Sequence, residues 1–238
     1  IMLNDHHSKS YLIIGGSSGI GKELVQILSE QGHRVYATYN KNYTEASSDQ
    51  VSYHSLNVLD DELNLDFVPD VLDGFVYCPG SMELLPIQRI KADRFIADIQ
   101  LQVFGAIKVL QKVLKPLKKG QGSMVLFSTV AVQKGFPFHS QVAASKGAIE
   151  GFAKALAAEY APKIRINAIA PTVTDTSLAS KLLRNESLKE QMIERHPLKK
   201  YLSPEEVAEM ATFLISDKST SMSGQIFEMD CGITTFKS

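Results

Sequence analysis

The segment Gly15-Gly16-Ser17-Ser18-Gly19-Ile20-Gly21 constrains this 238-residue chain most, because of what flanks it. The apolar run 11–14 reads as a strand, and residues 22–28 read as a helix, with Ile20, Leu24, Ile27 and Leu28 at i, i+4, i+7 and i+8 on one core-facing stripe. Gly32 follows where such a helix stops. A strand, a glycine-rich turn and a helix N-terminus together form an anion site. The glycines allow a tight turn and close approach of the backbone, while the first helical N–H groups lack intrahelical partners and carry a partial positive charge. The pattern places a dinucleotide pyrophosphate against Gly15, Ser17, Ser18, Gly19, Ile20 and Gly21. Taken alone, a glycine-rich turn is equally a plain loop, and the strand before it and helix after it tip the balance.

Further apolar runs rich in Val, Ile and Phe recur at 34–39, 51–56, 74–78, 123–127, 164–170 and 225–229, separated by helical stretches at 19–31, 92–115, 142–160 and 204–214. Strands alternating with helices predict a parallel sheet covered on both faces, hence one α/β domain over residues 1–238 with a doubly wound Rossmann-type sheet. Ser203 and Glu206 form a capping box with Pro204 at the first helical position. Between Tyr39 and Gly74 there is room for one strand and turn-prone Asn40-Lys41-Asn42 and Glu45–Asp49 stretches, so any crossover helix there is stunted. The polar stretch 172–200 follows a strand end and carries weak helical patterning in 178–183. It reads as a substrate lid over a cleft, the alternative being an ordinary surface helical hairpin.

Composition excludes several partner classes. Lys+Arg 25 against Asp+Glu 26, with no long basic block, leaves no footprint for nucleic acid, so a small molecule is the expected partner. No apolar run approaches the roughly 18 residues that cross a bilayer, and the polar start 4–9 lacks the apolar segment of a secretory signal, so no membrane association and a cytoplasmic location are expected. Ile1, which precedes Met2, is set aside. Cys78 and Cys231 form no Cys-x-x-Cys pair and no disulfide framework, and the histidines at 6, 7, 33, 54, 139 and 196 lack metal-ligand spacing apart from the adjacent pair, which reads as a solvated tail. No metal site is expected.

With the glycine turn, the ordered segments Ala144-Ser145-Lys146-Gly147-Ala148, Arg165-Ile166-Asn167-Ala168-Ile169-Ala170-Pro171, Asp175-Thr176, Ser203-Pro204-Glu205-Glu206-Val207-Ala208, Ser223-Gly224-Gln225 and Asp230-Cys231-Gly232 make the chain resemble a short-chain dehydrogenase/reductase of the classical type, from about Ser10 to Gly232. The resemblance implies a sheet of about seven strands in order 3-2-1-4-5-6-7, a nicotinamide cofactor, and a homo-oligomer of two or four copies. It also implies that Thr176 holds the nicotinamide amide, beside Pro171, and that Gly80 and Asn57 lie against the cofactor. Tyr77-Cys78-Pro79-Gly80 keeps only the final glycine of the family's Asn-Asn-Ala-Gly, and Asn57 stands where an Asp is common.

The same resemblance assigns the catalytic Asn, Ser, Tyr and Lys to Gln102, Thr129, Val142 and Lys146, at the family's separations of 27, 13 and 4 residues. Val142 therefore replaces the tyrosine that protonates the carbonyl oxygen. A positioned acid is typically worth about 10²–10⁴-fold in rate, or roughly 3–5 kcal/mol. Thr129 retains a hydroxyl for the substrate oxygen, and Gln102 retains an amide on a longer stem. His139, three residues before Val142, is the candidate replacement acid or base, with Ser140 beside it; the alternative is a histidine that caps the helix or faces solvent. Lys146 interrupts the apolar face Val142, Ile149, Ala153, Leu156, where its ammonium would meet ribose hydroxyls or else snorkel to solvent.

NAD specificity normally comes from an acidic residue at the end of the second strand, on the ribose 2′-OH. Tyr39, Asn40 and Lys41 stand there, so NADP is expected over NAD, with Lys41 facing the 2′-phosphate or remaining a solvated loop charge. The sequence thus predicts an oxidoreductase that moves hydride between NADP(H) and a carbonyl or alcohol through an altered site. The alternative is a catalytically weak or inactive dinucleotide-binding sensor or scaffold.

Overall fold

Successive strand residues point to opposite faces, and here both faces are dry. In β1 (Ser10–Ile14), Leu12 and Ile14 join one apolar cluster while Tyr11 and Ile13 join the other. The same division recurs in β4 (Gly74–Tyr77), where Phe75 and Tyr77 face one side and Val76 the other, and in β5 (Ser123–Phe127), where Met124 and Leu126 oppose Val125 and Phe127. Strands buried on both sides need helices on both sides.

The structure, a computed structural model, describes residues 8–41 and 47–236. With β2 (Arg34–Tyr39), β3 (Val51–Ser55), β6 (Arg165–Pro171) and β7 (Ile226–Met229), the strands form one parallel sheet of seven in the order β3-β2-β1-β4-β5-β6-β7. On one face lie α3 (Gly105–Lys119) and α4 (Ser140–Tyr160), supplying Val109, Val113, Ile149 and Ala153. On the other lie α1 (Gly19–Glu30) and α6 (Pro204–Ile215), supplying Leu24, Val25, Val207 and Ala211. The buried stripe of α1 is centred on Leu24, Val25 and Leu28, with Ile20 and Ile27 at its edges. The capping box at Ser203 and Glu206 is present. No helix occurs between β2 and β4 among the described residues; the His6-His7 pair and positions 42–46 of the turn-prone stretch lie outside them.

The expected helix over 92–115 differs in two respects. It is split into α2 (Ala92–Ile99) and α3 by a π-helical turn, Gln100–Phe104, and it runs past Pro116 to Lys119. Pro116 sits in the last turn, and its carbonyl accepts from Gly120 and from Leu72 of the loop before β4. The π turn is tied to the central strand: the Tyr77 hydroxyl donates to the Leu101 carbonyl at 2.6 Å. A Cβ on Gly105 would lie 2.2 Å from that hydroxyl, so the turn and β4 can meet this closely only with glycine there. No helix among the described residues is long and apolar enough to cross a membrane.

Candidate active site

Loops from the carboxyl ends of β1, β4, β5 and β6 open around one cavity of about 640 Å³, at the point where strand order reverses between β1 and β4. Its first wall is the glycine turn, with Gly15, Ser17, Ser18, Gly19, Ile20 and Gly21 all lining it. Gly15 and Gly19 hold φ of +79° and +51°, in the left-handed region that favours glycine. A Cβ on Gly21 would fall 2.2 Å from the Gly15 carbonyl oxygen, so the turn folds back on itself. Gly16 serves packing instead, since a Cβ there would meet Ala37 and Val25 at 2.9 Å. Ser18 caps α1 with extended backbone and no side-chain hydrogen bond, and the first turn holds no acidic residue. Free N–H groups and backbone bare of Cβ atoms fit a dinucleotide diphosphate.

Asn40 and Lys41 line the cavity after β2, both exposed, and no Asp or Glu lines it among the described residues. Gly80, Pro171 and Thr176 line it as well. Thr176 covers the turn, with its methyl 3.3 Å from where a Gly19 Cβ would stand. Two candidate residues fall elsewhere. Tyr39 ends β2 outside the lining, and Asn57 spends its amide locally, donating to Asp60 at 2.6 Å and accepting from the Leu59 N–H at 3.2 Å.

The remaining candidates meet at the other end. Gln102, Thr129, His139, Val142 and Lys146 all line the same cavity. Lys146 does not snorkel. Its Nζ turns inward and donates to the Phe127 carbonyl at 2.8 Å, and burial pulls its pKa down from 10.5 to about 8 against the opposing pull of Asp98 and Cys78. Burial likewise pushes the Cys78 thiol up to about 12, leaving it protonated and unreactive. Thr129 Oγ1 accepts from the Ala131 N–H at 3.3 Å, and its own proton remains for an oxygen in the cavity. The neighbouring Ser128 hydroxyl is already committed, donating to buried Glu150 at 2.6 Å. His139 is the cap residue of α4 but makes no side-chain capping bond; its half-buried ring bonds the Pro137 carbonyl through Nδ1 at 2.7 Å.

Behind Lys146 lies a polar cluster with three members that the sequence reading missed. Asp98 is 1 % exposed, forms no ion pair, and accepts from Ser81 Oγ, from Gln102 Nε2 at 2.7 Å and from Ser145 Oγ at 2.5 Å. These donors hold the carboxylate inside. They also orient Gln102, because its amide nitrogen must face Asp98; Oε1 is left without a partner, 3.4 Å from where a Gly80 Cβ would stand. Lys146 Nζ lies 3.8 Å from the same point, so an unpaired acceptor and the ammonium flank Gly80. The signal available in sequence was Asp98 four residues before Gln102, a same-face helical pair. His196, set aside for lack of metal spacing, is also structural: fully buried, it bonds the Met192 carbonyl at 2.6 Å and Thr172 Oγ1 at 2.7 Å.

Comparison with known proteins agrees with this geometry. A family described as enoyl-(acyl carrier protein) reductase matches residues 15–234. The 3-oxoacyl-(acyl-carrier-protein) reductase FabG of Thermotoga maritima is 31% identical, covering 94% of this chain and 97% of its own. The 2,5-dichloro-2,5-cyclohexadiene-1,4-diol dehydrogenase of Sphingobium indicum is 27% identical over 98% of this chain and 99% of its own. Among solved structures, ElxO with NADP bound superimposes with a TM-score of 0.88 at 25% identity, over 97% of this chain and all of that one. The matched sequence, the strand order and the cavity at its switch point converge: the chain belongs to the short-chain dehydrogenase/reductase family of nicotinamide-dependent oxidoreductases.

Proposed function

We propose that this protein is an NADP-dependent oxidoreductase acting on a carbonyl or alcohol, in which Lys146 Nζ carries the proton that a tyrosine hydroxyl carries elsewhere in the family. The observation that carries this reading is the buried ammonium with a pKa near 8, lining the same cavity as the Thr129 hydroxyl, where Val142 has no proton to give. NADPH, when bound, supplies hydride to the carbonyl carbon. The glycine turn and the N-terminus of α1 bind its diphosphate, Lys41 faces the 2′-phosphate, and Thr176 and Pro171 border the nicotinamide end. Thr129 Oγ1–H hydrogen-bonds the reacting oxygen and orients it. As that oxygen gains charge, Lys146 Nζ gives up a proton and becomes neutral, with the Phe127 carbonyl and Gln102 Oε1 available to hold the remaining N–H groups.

An acid of pKa near 8 is close to matched to neutral pH, which general acid catalysis favours. His139 is the weaker candidate, since its ring is already bonded to the Pro137 carbonyl. The stretch 172–200, including α5 (Glu186–Arg195), acts in this reading as the lid, because Thr176, Leu178, Leu182 and Met192 border the cavity. Exposed Ile96 and Phe104, on α2 and the π turn, suit an assembly of two or four copies, which light scattering would count. NADPH oxidation with a panel of ketones and aldehydes is the test. Reduction is expected to be level below pH 8 and to decline above it, and Lys146→Met should lose both the rate and the decline. NADPH binding without turnover at any pH would favour the sensor or scaffold.

A further inference from the structure

Beyond Thr129 and Lys146 the cavity turns apolar, walled by Phe136, Val142, Leu178, Leu182, Met192 and Ile233. One cation borders this chamber. Arg195, the last residue of α5, holds its guanidinium 4.4 Å from the centre of the Phe136 ring, and both side chains line the cavity. A basic residue in the last turn of a helix is favoured by the helix dipole alone, but that does not account for its turning over an aromatic wall of the active site. Nor is the charge neutralised nearby: among the described residues Arg195 forms no ion pair and no acidic side chain lines the cavity, and its neighbour Glu194 is taken by Lys199. Arg195 is also held in place. The Met192 carbonyl can only accept, so it takes the His196 Nδ1–H, leaving Nε2 to accept from Thr172; the buried ring thereby fastens the end of α5 to the loop after β6.

An unpaired guanidinium over an apolar chamber with no opposing carboxylate sets up a positive potential at its rim, focused by low-dielectric walls. We propose that the substrate is an apolar carbonyl compound ending in a carboxylate, with the hydrocarbon in the Phe136–Met192 chamber and the carboxylate on Arg195. This rests on the functional reading above and adds the substrate class. Arg195 would act as a specificity residue, on binding and not on the chemical step, with His196 as its positioning residue.

The test uses the full chain, with and without NADPH, and a matched pair of probes: 4-oxo-4-phenylbutanoate and its methyl ester, titrated calorimetrically. The acid is expected to bind at least ten-fold more tightly than the ester. Arg195→Gln should bring the two together, chiefly by weakening the acid, with the melting temperature reporting an intact fold. Lys189→Gln, on the same helix but outside the cavity and paired with Glu186, should keep the ten-fold difference. Where turnover is measurable, Arg195→Gln should raise KM for the acid with kcat retained. Equal affinity of wild type for acid and ester, or a preference for the acid that survives Arg195→Gln, would overturn the proposal. Failure to bind NADPH strikes the functional reading separately, because the acid-to-ester ratio is also read on the free protein. A phosphate-ended ketone that beats the acid would place the chemistry with phosphate esters and refute the carboxylate assignment.

Discussion

The two ends of the cavity are built from different materials. At the end formed by the glycine turn, which the proposed function gives to the diphosphate, the wall is main chain around Gly15, Gly19 and Gly21, and side chains matter chiefly by being small. At the other end, where the proposed function puts the reaction, the wall and its backing are side chains drawn from distant parts of the chain: Ser81, Asp98, Gln102, Thr129 and Lys146. A backbone site tolerates change in everything but glycine and helix geometry. A side-chain site can be rewritten one residue at a time, and here a valine stands beside a buried ammonium and a buried carboxylate while the architecture around them is retained.

Gly21→Ala attacks the first material directly. With a Cβ 2.2 Å from the Gly15 carbonyl, the turn must open, and NADPH affinity should fall by about 10³-fold, roughly 4 kcal/mol; titration calorimetry would show it, and an unaltered affinity would mean the turn is not the phosphate site. Val142→Tyr goes at the second. Restoring a hydroxyl should raise ketone reduction by about 10²-fold, the low end for general acid catalysis, because Lys146 is already turned toward Phe127. A slower enzyme would mean that the present geometry has closed over the tyrosine's place.

Asp98→Asn probes the cluster behind the ammonium. Removing the charge disturbs three donors and should cost about 2 kcal/mol in urea unfolding. Because Asp98 supports the protonated form of Lys146, its loss should also move the alkaline decline of reduction below pH 8. In wild type the sign of the stability effect is opposite to that of the rate. The Lys146 pKa is lowered on folding, so the unfolded chain binds more protons between about pH 8 and 10.5, and this group's contribution to stability rises with pH across that window while the rate declines. The smallest effect belongs to Lys41→Ala: one exposed charge near a 2′-phosphate, worth about 1 kcal/mol, or roughly a five-fold loss in NADPH affinity with NADH unaffected.

The comparison also explains what was legible in sequence. All seven strands lie within one residue of their apolar runs, and the central ones read most plainly because a strand buried on both faces demands an unbroken hydrophobic segment. The glycine turn was legible for a similar reason, since its requirements are local. Asp98 was not: one of two aspartates on a short amphipathic helix announces nothing until α2 packs against α4 and brings Ser145 to it. Arg195 escaped because its meaning depends on Phe136, nearly 60 positions earlier in the chain. Asn57 matches a family position, while its amide makes a local bond with Asp60 that spacing alone does not announce.

The π-helical turn at Gln100–Phe104 carries a consequence for anyone aligning this protein. Such a turn is equivalent to one residue inserted into an α-helix, and a single residue is about 100° of rotation. Threading 92–119 onto an unbroken helix would therefore leave its two halves out of phase, so that either the Asp98 face of α2 or the Val109–Val113 face of α3 would be turned out of place. In the molecule, the bond from Tyr77 to Leu101 anchors that phase slip to the central strand. Homologues lacking either the extra residue or the tyrosine should not be expected to hold α2 and α3 in this relative phase, however well the remaining residues line up.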